Sequence, residues 1–320
     1  EHISNPSPEF IDQAPAGRGN GLGTGSTACN TSQQGTPQWN AMGPSPRSVW
    51  QYIPWMTDIP TLRCPSDPGI GRPGKGRTNY ALCMGDSCHK RGKHGVTFIH
   101  FLVPTNNGEA QHGNATQRGM FNLHRVLKFR DVLDGLSNTI AMMEIATDLG
   151  DRDFRTTPNG DNGGAWGNVG NSGAQFNPKT CEDQGNISPT RPGFWSDGND
   201  GGTAPSRSWS SNQNARGMMW SSLHHTATGA WTILPPNSES CGNDWHDGPG
   251  AYGAASRHQG GAHVLMGDGA VIFMTDSVEA GNNRAPVISW QNQRGGKSPY
   301  GLWGALGSRA AKEVVDEALN

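Results

Sequence analysis

Apolar and polar positions alternate most clearly toward the C-terminal end of the chain. Residues 262–266 (AHVLM) and 270–274 (AVIFM) are short apolar runs separated by Gly267-Asp268-Gly269. Asp-Gly between such runs signals a β-hairpin with a tight primed turn, because both central residues can take positive φ. Along the first run His263 and Leu265 point to one face and Val264 to the other. Residues 79–84, 96–103 (VTFIHFLV) and 139–145 predict further strands, and residues 231–234 another. The run at 96–103 is rich in β-branched and aromatic side chains, as a half-buried strand should be. Residues 129–134 predict a short helix or turn that Asp134-Gly135 breaks. Residues 309–319 (RAAKEVVDEAL) predict a terminal helix, with Ser308 as N-cap and Val314, Val315, Ala318 and Leu319 as its apolar stripe. Residues 47–59 are apolar and aromatic, broken by Pro54 and Pro60, and are expected to pack on the core.

Between these elements the pattern lapses. Residues 1–60 read as an irregular N-terminal arm and residues 61–320 as a single head domain with a loop-rich insertion at about 148–255. The insertion is dominated by Gly, Asn, Asp and Trp, and a connection so long without regular structure is uncommon unless it serves a function or is disordered. Its tryptophans argue for a packed loop layer. The fold class is therefore α+β: an antiparallel sheet of several short strands, long Gly/Asn/Trp-rich loops and few helices.

Composition supports this picture and narrows the partners. With 46 Gly and 22 Pro in 320 residues, only 33% hydrophobic and 16% charged, the chain is loop-rich with a modest core. Eleven Trp, nine Phe and a net charge of only −2 argue against disorder. No basic patch points to nucleic acid. No run approaches the roughly 18–20 apolar residues that span a bilayer. A near-neutral, Lys-poor surface suits an extracytoplasmic protein, and so do six cysteines, Cys29, Cys64, Cys83, Cys88, Cys181 and Cys241. Six cysteines suggest three disulfides with 15 pairings open. Cys83 and Cys88, flanking MGDS, could close a small loop; a metal reading of Cys83, Cys88 and His89 lacks CxxC spacing.

Two chemistries have candidate residues. Asp161, Asp197, Asn199 and Asp200 sit in Gly-rich runs (NGDNGG and SDGNDGG) that offer the hard oxygens calcium takes. The same residue types also make turns. The histidines of the C-terminal half, including His224-His225, His246, His258 and His263, show no HExxH or comparable zinc spacing. His258 is expected to hydrogen-bond backbone or a carboxylate and lock the loop that enters the hairpin. Asp268 is expected to order its own turn. Glu144 ends an apolar strand and needs a partner if buried, either His258 or Arg257. No GxSxG elbow, phosphate-cradling GxxxxGK[ST] or strand-anchored GxGxxG occurs. Most of the tryptophans are expected in the core; exposed ones beside Asn/Asp would suit a sugar-binding surface or a protein interface.

Four short stretches, taken in order, resemble a known family. They are residues 62–68 (LRCPSDP) followed by Thr78-Asn79-Tyr80, residues 129–144 (FRDVLDGLSNTIAMME), His258 followed after nine residues by Asp268-Gly269, and residues 302–315 (LWGALGSRAAKEVV). The chain thereby resembles the planctomycete-type prepilin-like family with a C-terminal His-x9-Asp-Gly signature, whose function is largely unassigned and whose members are also filed as solute-binding-protein-like. The resemblance implies a pilin-like globular head, with Asp134, Gly135, Glu144, His258, Asp268 and Gly269 as signature residues. Family members begin with a prepilin leader and a long apolar helix. This chain opens EHISNPSPEF, so the head is expected without that helix, whether removed or never present. Pilin-like proteins of secretion systems often pin loops with calcium, which favours a structural calcium. The expected function is that of a non-enzymatic, extracytoplasmic structural protein at the cell surface or secreted, assembling with itself or with envelope partners. The alternatives are a carbohydrate or small-solute binding module, and a metal-dependent hydrolase built on His258, His263 and Asp268.

Overall fold

The computed structural model describes residues 53–88, 116–122, 126–160, 177–208, 214–242, 249–288 and 296–313. The N-terminal arm up to residue 52, the strand expected at 96–103, Cys29, His89, Asp161, His246 and the segment from Val314 onward lie outside the described residues.

Among the described residues nine strands form two sheets: β1 (Tyr80–Cys83), β2 (Ile140–Glu144), β3 (Asn159–Gly160), β4 (Arg207–Ser208), β5 (Gly229–Ala230), β6 (Cys241–Gly242), β7 (Gly250–Ala251), β8 (Gly261–Met266) and β9 (Val271–Thr275). The larger sheet has the order β5-β1-β2-β8-β9 and the smaller β4-β3-β6-β7. With short helices at Ile53–Met56, Thr180–Asp183, His225–Thr228 and Gly301–Gly307, the architecture is α+β. The sheets are mixed rather than antiparallel throughout: β1 runs parallel to β5, and β3 parallel to β6.

The register of the large sheet sets two different faces. Ala81, Met143 and Val264 stand in one cross-strand row and are buried with Ile140, Ala262, Met266, Met274, Trp303 and Leu306. The opposite face carries Leu82, Met142, Leu265 and Val271, again in one row across β1, β2, β8 and β9. Leu82, Met142 and Leu265 are half-buried and Val271 is exposed. A second core gathers Trp195, Trp231, Tyr252, Tyr300 and the disulfide Cys181–Cys241, which ties the helix at Thr180–Asp183 to β6. Tryptophans serve mainly as filling: Trp55, Trp195, Trp231 and Trp303 are buried and Trp220 is partly so.

Three local expectations are corrected. The hairpin turn is a three-residue loop, not a two-residue primed turn. Gly269 alone of the loop residues takes positive φ (97°), its N–H donates to the Met266 carbonyl at 3.1 Å, and Met266 N–H donates to Ala270 at 2.8 Å. The bulge residue is Gly269 itself, in the left-handed region, so the loop closes with a glycine bulge, and the Gly267 N–H is held from outside the hairpin by the Thr139 carbonyl at 2.8 Å. Ser308 ends a helix rather than starting one. Its N–H donates to the Ala305 carbonyl, and its hydroxyl donates to Asp134 Oδ2 at 3.1 Å, so it does not cap a following turn. Residues 231–234 are not a strand: Trp231 N–H goes to Tyr252 and Thr232 N–H to Gly85, two separate segments instead of one ladder. His224-His225 lie at the start of the helix His225–Thr228, where His225 packs edge-on to Trp231 at 4.9 Å.

The Cys83–Cys88 bridge that the spacing allows does not form. Cys64, Cys83 and Cys88 are free, buried thiols, and the bridge runs from Cys181 to Cys241. Burial pushes the Cys83 thiol up to about 12 and the Cys88 thiol up as well.

Candidate functional site

Among the described residues, one end of the large sheet gathers a cysteine, a glutamate and two histidines. Glu144 closes β2 opposite Tyr80 on β1. Its side chain is 4% exposed, at the end of an otherwise apolar strand (IAMME). A carboxylate buried there must be compensated. Glu144 Oε2 accepts both the backbone N–H of His263 and its ring Nδ1, each at 3.0 Å. Glu144 Oε1 faces His258 Nε2 at 3.2 Å. The same His258 nitrogen lies 3.5 Å from Cys64 Sγ. The two imidazoles meet edge-to-face with centroids 5.0 Å apart.

Local structure holds each member. Cys64 sits in the LRCPSDP segment, which reaches the sheet through Asn79. Asn79 Oδ1 accepts the Cys64 N–H at 3.0 Å, Asn79 Nδ2 donates to the Ile145 carbonyl at 3.0 Å, and Asn79 N–H donates to Leu62 at 2.8 Å. Three residues on, Asp67 binds Thr147 just past β2. His258 is set by a serine turn, in which Ser256 Oγ accepts the His258 N–H at 2.9 Å and donates to the Gly261 carbonyl at 2.6 Å. Next to it, Arg257 reaches Asp153 Oδ2 at 3.2 Å and the Thr147 carbonyl at 3.1 Å. Of the two partners open to Glu144, His258 is therefore the one used; Arg257 pairs with Asp153 instead.

The remaining sequence candidates are placed elsewhere. Asp268 orders its own turn, accepting the Ala270 N–H at 3.0 Å, at the opposite end of β8 from His258. It does not join the two histidines, so a metal site of His258, His263 and Asp268 is not assembled. Asp134 works as a remote cap: it accepts Ser308 Oγ and the N–H groups of Ala311 (2.8 Å) and Lys312 (2.7 Å), while Gly135 takes φ 94°. Asp197 accepts the Asn199 N–H at 2.8 Å, and Asp200 accepts Ser196 Oγ at 2.5 Å and the Gly202 N–H at 3.1 Å. The hydroxyls of Ser188 and Ser196 hold the Asp200 carboxyl down at about 2. These oxygens are engaged in turn formation.

Cys64 is the member that sequence reasoning missed as a site residue, treating it only as a disulfide candidate. It lies 194 residues from His258. The one signal available was its place in a CPSDP segment beside Thr-Asn-Tyr. Burial raises the Cys64 thiol above its ordinary value, and the neighbouring Glu144 adds to the shift. The thiol is therefore protonated at neutral pH when only these groups surround it. A cysteine–histidine–acid relay needs the base to face the nucleophile with one ring nitrogen and the acid with the other. Here Cys64 and Glu144 converge on the same nitrogen, Nε2 of His258. The cluster is a convergence of S, N and O donors rather than a relay, and these three donor atoms lie within 4.8 Å of one another.

The fold is a mixed-sheet α+β fold, and the Cys64–Glu144–His258 cluster at the end of its larger sheet is not arranged as a relay. Residues 23–281 match the family model described as "Protein of unknown function (DUF1559)", and the chain belongs to that family. No curated protein and no solved structure matches the chain.

Proposed function

We propose that this protein is a non-enzymatic, extracytoplasmic structural protein, a pilin- or pseudopilin-like head that assembles with copies of itself. The observation that carries the reading is the outer row of the large sheet. Leu82, Met142, Leu265 and Val271 align across four strands on the face turned away from the core. Val271 is 66% exposed, and Phe273, on the same face, 42%. Among the described residues β9 has no neighbour on its outer side. An apolar row that is half-buried at Leu82, Met142 and Leu265 and opens to solvent at Val271 and Phe273, on a strand without an outer neighbour among the described residues, is the kind of surface soluble monomers avoid and assemblies bury.

The disulfide Cys181–Cys241 is compatible with an extracytoplasmic compartment. Among the described residues no helix is long and apolar enough to cross a membrane. The resemblance of the signature stretches to prepilin-like proteins adds the assembling class of partner. A sugar-binding platform is less supported, because the described tryptophans are buried or half-buried rather than displayed.

Sedimentation over a concentration series tests this. Wild type is expected to form larger species as concentration rises, and Leu265→Lys or Val271→Lys to remain monomeric with an unchanged far-ultraviolet spectrum. Equal sedimentation of wild type and both variants as monomers would overturn it.

A further inference from the structure

The Cys64–Glu144–His258 cluster has a second use beyond holding the LRCPSDP segment to the sheet. Its distances carry the argument. A tetrahedral zinc ion has Zn–S of about 2.3 Å, Zn–N of about 2.05 Å and Zn–O of about 2.0 Å, which puts S and N about 3.5 Å apart and N and O about 3.3 Å apart. Cys64 Sγ to His258 Nε2 is 3.5 Å, and His258 Nε2 to Glu144 Oε1 is 3.2 Å. Two edges of a zinc tetrahedron are thus already set.

Charge points the same way. Glu144 is a buried carboxylate whose ion-pair partners among the described residues are both histidines, which carry charge only when protonated. A divalent cation between Oε1, Nε2 and Sγ would place a full positive charge beside that buried carboxylate. The donor set also selects the class of metal: thiolate and imidazole suit zinc and its neighbours, whereas calcium and magnesium take oxygen alone.

Further contacts fit the support that metal ligands commonly have. His263 holds Glu144 Oε2 through its ring and its backbone N–H, which leaves Oε1 turned to the cluster. A hydrogen-bonded partner of this kind fixes a carboxylate ligand and tunes its basicity. Asn79 fixes the backbone of Cys64, and Ser256 that of His258. His258 is 31% exposed, so the cluster opens to solvent on one side, where a water could complete the coordination and a cation could enter.

We propose that Cys64, Glu144 and His258 bind a zinc-class divalent cation, with His263 as the positioning residue for Glu144. Binding exchanges the Cys64 thiol proton for a metal–sulfur bond and releases that proton to solvent; no oxidant or reductant takes part. The ion would staple the 62–68 segment to the ends of β2 and β8.

Cobalt(II) and zinc titration of the metal-stripped full chain, with the Cys181–Cys241 disulfide intact, tests this. Wild type is expected to take up about one equivalent of cobalt, with a near-ultraviolet thiolate-to-cobalt band and intense visible bands of a tetrahedral site. Zinc should displace the cobalt and raise the thermal midpoint. Cys64→Ser should abolish the near-ultraviolet band, His258→Ala should abolish uptake, and His263→Ala should weaken uptake by about 10–100-fold. His258→Gln, at a half-exposed loop position, serves should His258→Ala fail to fold. Absence of the band and of any zinc-dependent shift in wild type would overturn the proposal, and so would uptake unchanged in both the Cys64 and His258 variants.

Discussion

The Asp67 carboxylate grips Thr147 at two points. Oδ1 accepts the Thr147 hydroxyl at 2.6 Å and Oδ2 accepts the Thr147 N–H at 2.7 Å. Oδ1 also accepts the Gly69 N–H at 2.9 Å. This joins the segment carrying Cys64 to the chain leaving β2, the strand that ends in Glu144.

Burial by itself would raise the Asp67 carboxyl, but the hydrogen bonds from Thr147 and Gly69 outweigh it and hold the group below its ordinary value near 3.8. A depressed folded value means that the stabilisation is fully present above about 3.8 and is lost as pH falls through the folded value. Asp67→Asn, which keeps one acceptor oxygen and adds donors where acceptors are needed, is expected to cost about 2 kcal/mol at neutral pH. Urea unfolding from pH 7 down to pH 3 checks this: the gap between wild type and variant should narrow at the acid end.

Asn79→Ala leaves the Cys64 N–H and the Ile145 carbonyl without their side-chain partner. Each buried group so orphaned costs about 1–3 kcal/mol. The variant should unfold at lower denaturant and expose Cys64, so thiol labelling under native conditions should quicken at this site while Cys83 and Cys88 remain protected.

The Cys181–Cys241 bridge closes a loop with a sequence separation of 60, for which chain entropy predicts a stabilisation of about 4 kcal/mol. Reduction should lower the urea midpoint strongly. In the native oxidised protein Cys83 and Cys88, both fully buried, should resist labelling at pH 8, and unfolding should release them. Recovery of a Cys83–Cys88 disulfide by peptide mapping would contradict the structure.

Asp134→Ala removes the acceptor for Ser308 Oγ and for two backbone N–H groups at Ala311 and Lys312. An expected loss of about 1–2 kcal/mol, as for other lost caps, should come with faster proteolysis beyond residue 307. Limited digestion followed by mass spectrometry reads it directly.

Local pattern made part of this legible. The β8–β9 hairpin, the strand ending in Glu144 and the self-ordering turn at Asp268 follow from alternation and Asx chemistry. The need to compensate a carboxylate at the end of an apolar strand left His258 or Arg257 open as the partner of Glu144, and the structure uses His258 together with His263. Other features depend on contacts remote in sequence. The segment GLWGALG is a poor helix former on propensity, yet Gly301–Gly307 is helical because Trp303 and Leu306 bury against β8 and Trp303 Nε1 donates to the Leu234 carbonyl at 2.7 Å. Ser308 reads as an N-cap until Asp134, 174 residues away, takes its hydroxyl. The parallel pairing of β5 with β1 rests on two residues and leaves no periodic trace. Cys64 enters the cluster only because Asn79 and Asp67 bring its segment to the sheet, and a spacing motif cannot show that.

Electron microscopy of untagged protein isolated from its source tests the central claim most directly. The account predicts filaments, sheets or closed assemblies in which the face bearing Leu82, Met142, Leu265 and Val271 lies at the contact between copies. Isolated single particles at high concentration, with that face in solvent, would contradict it.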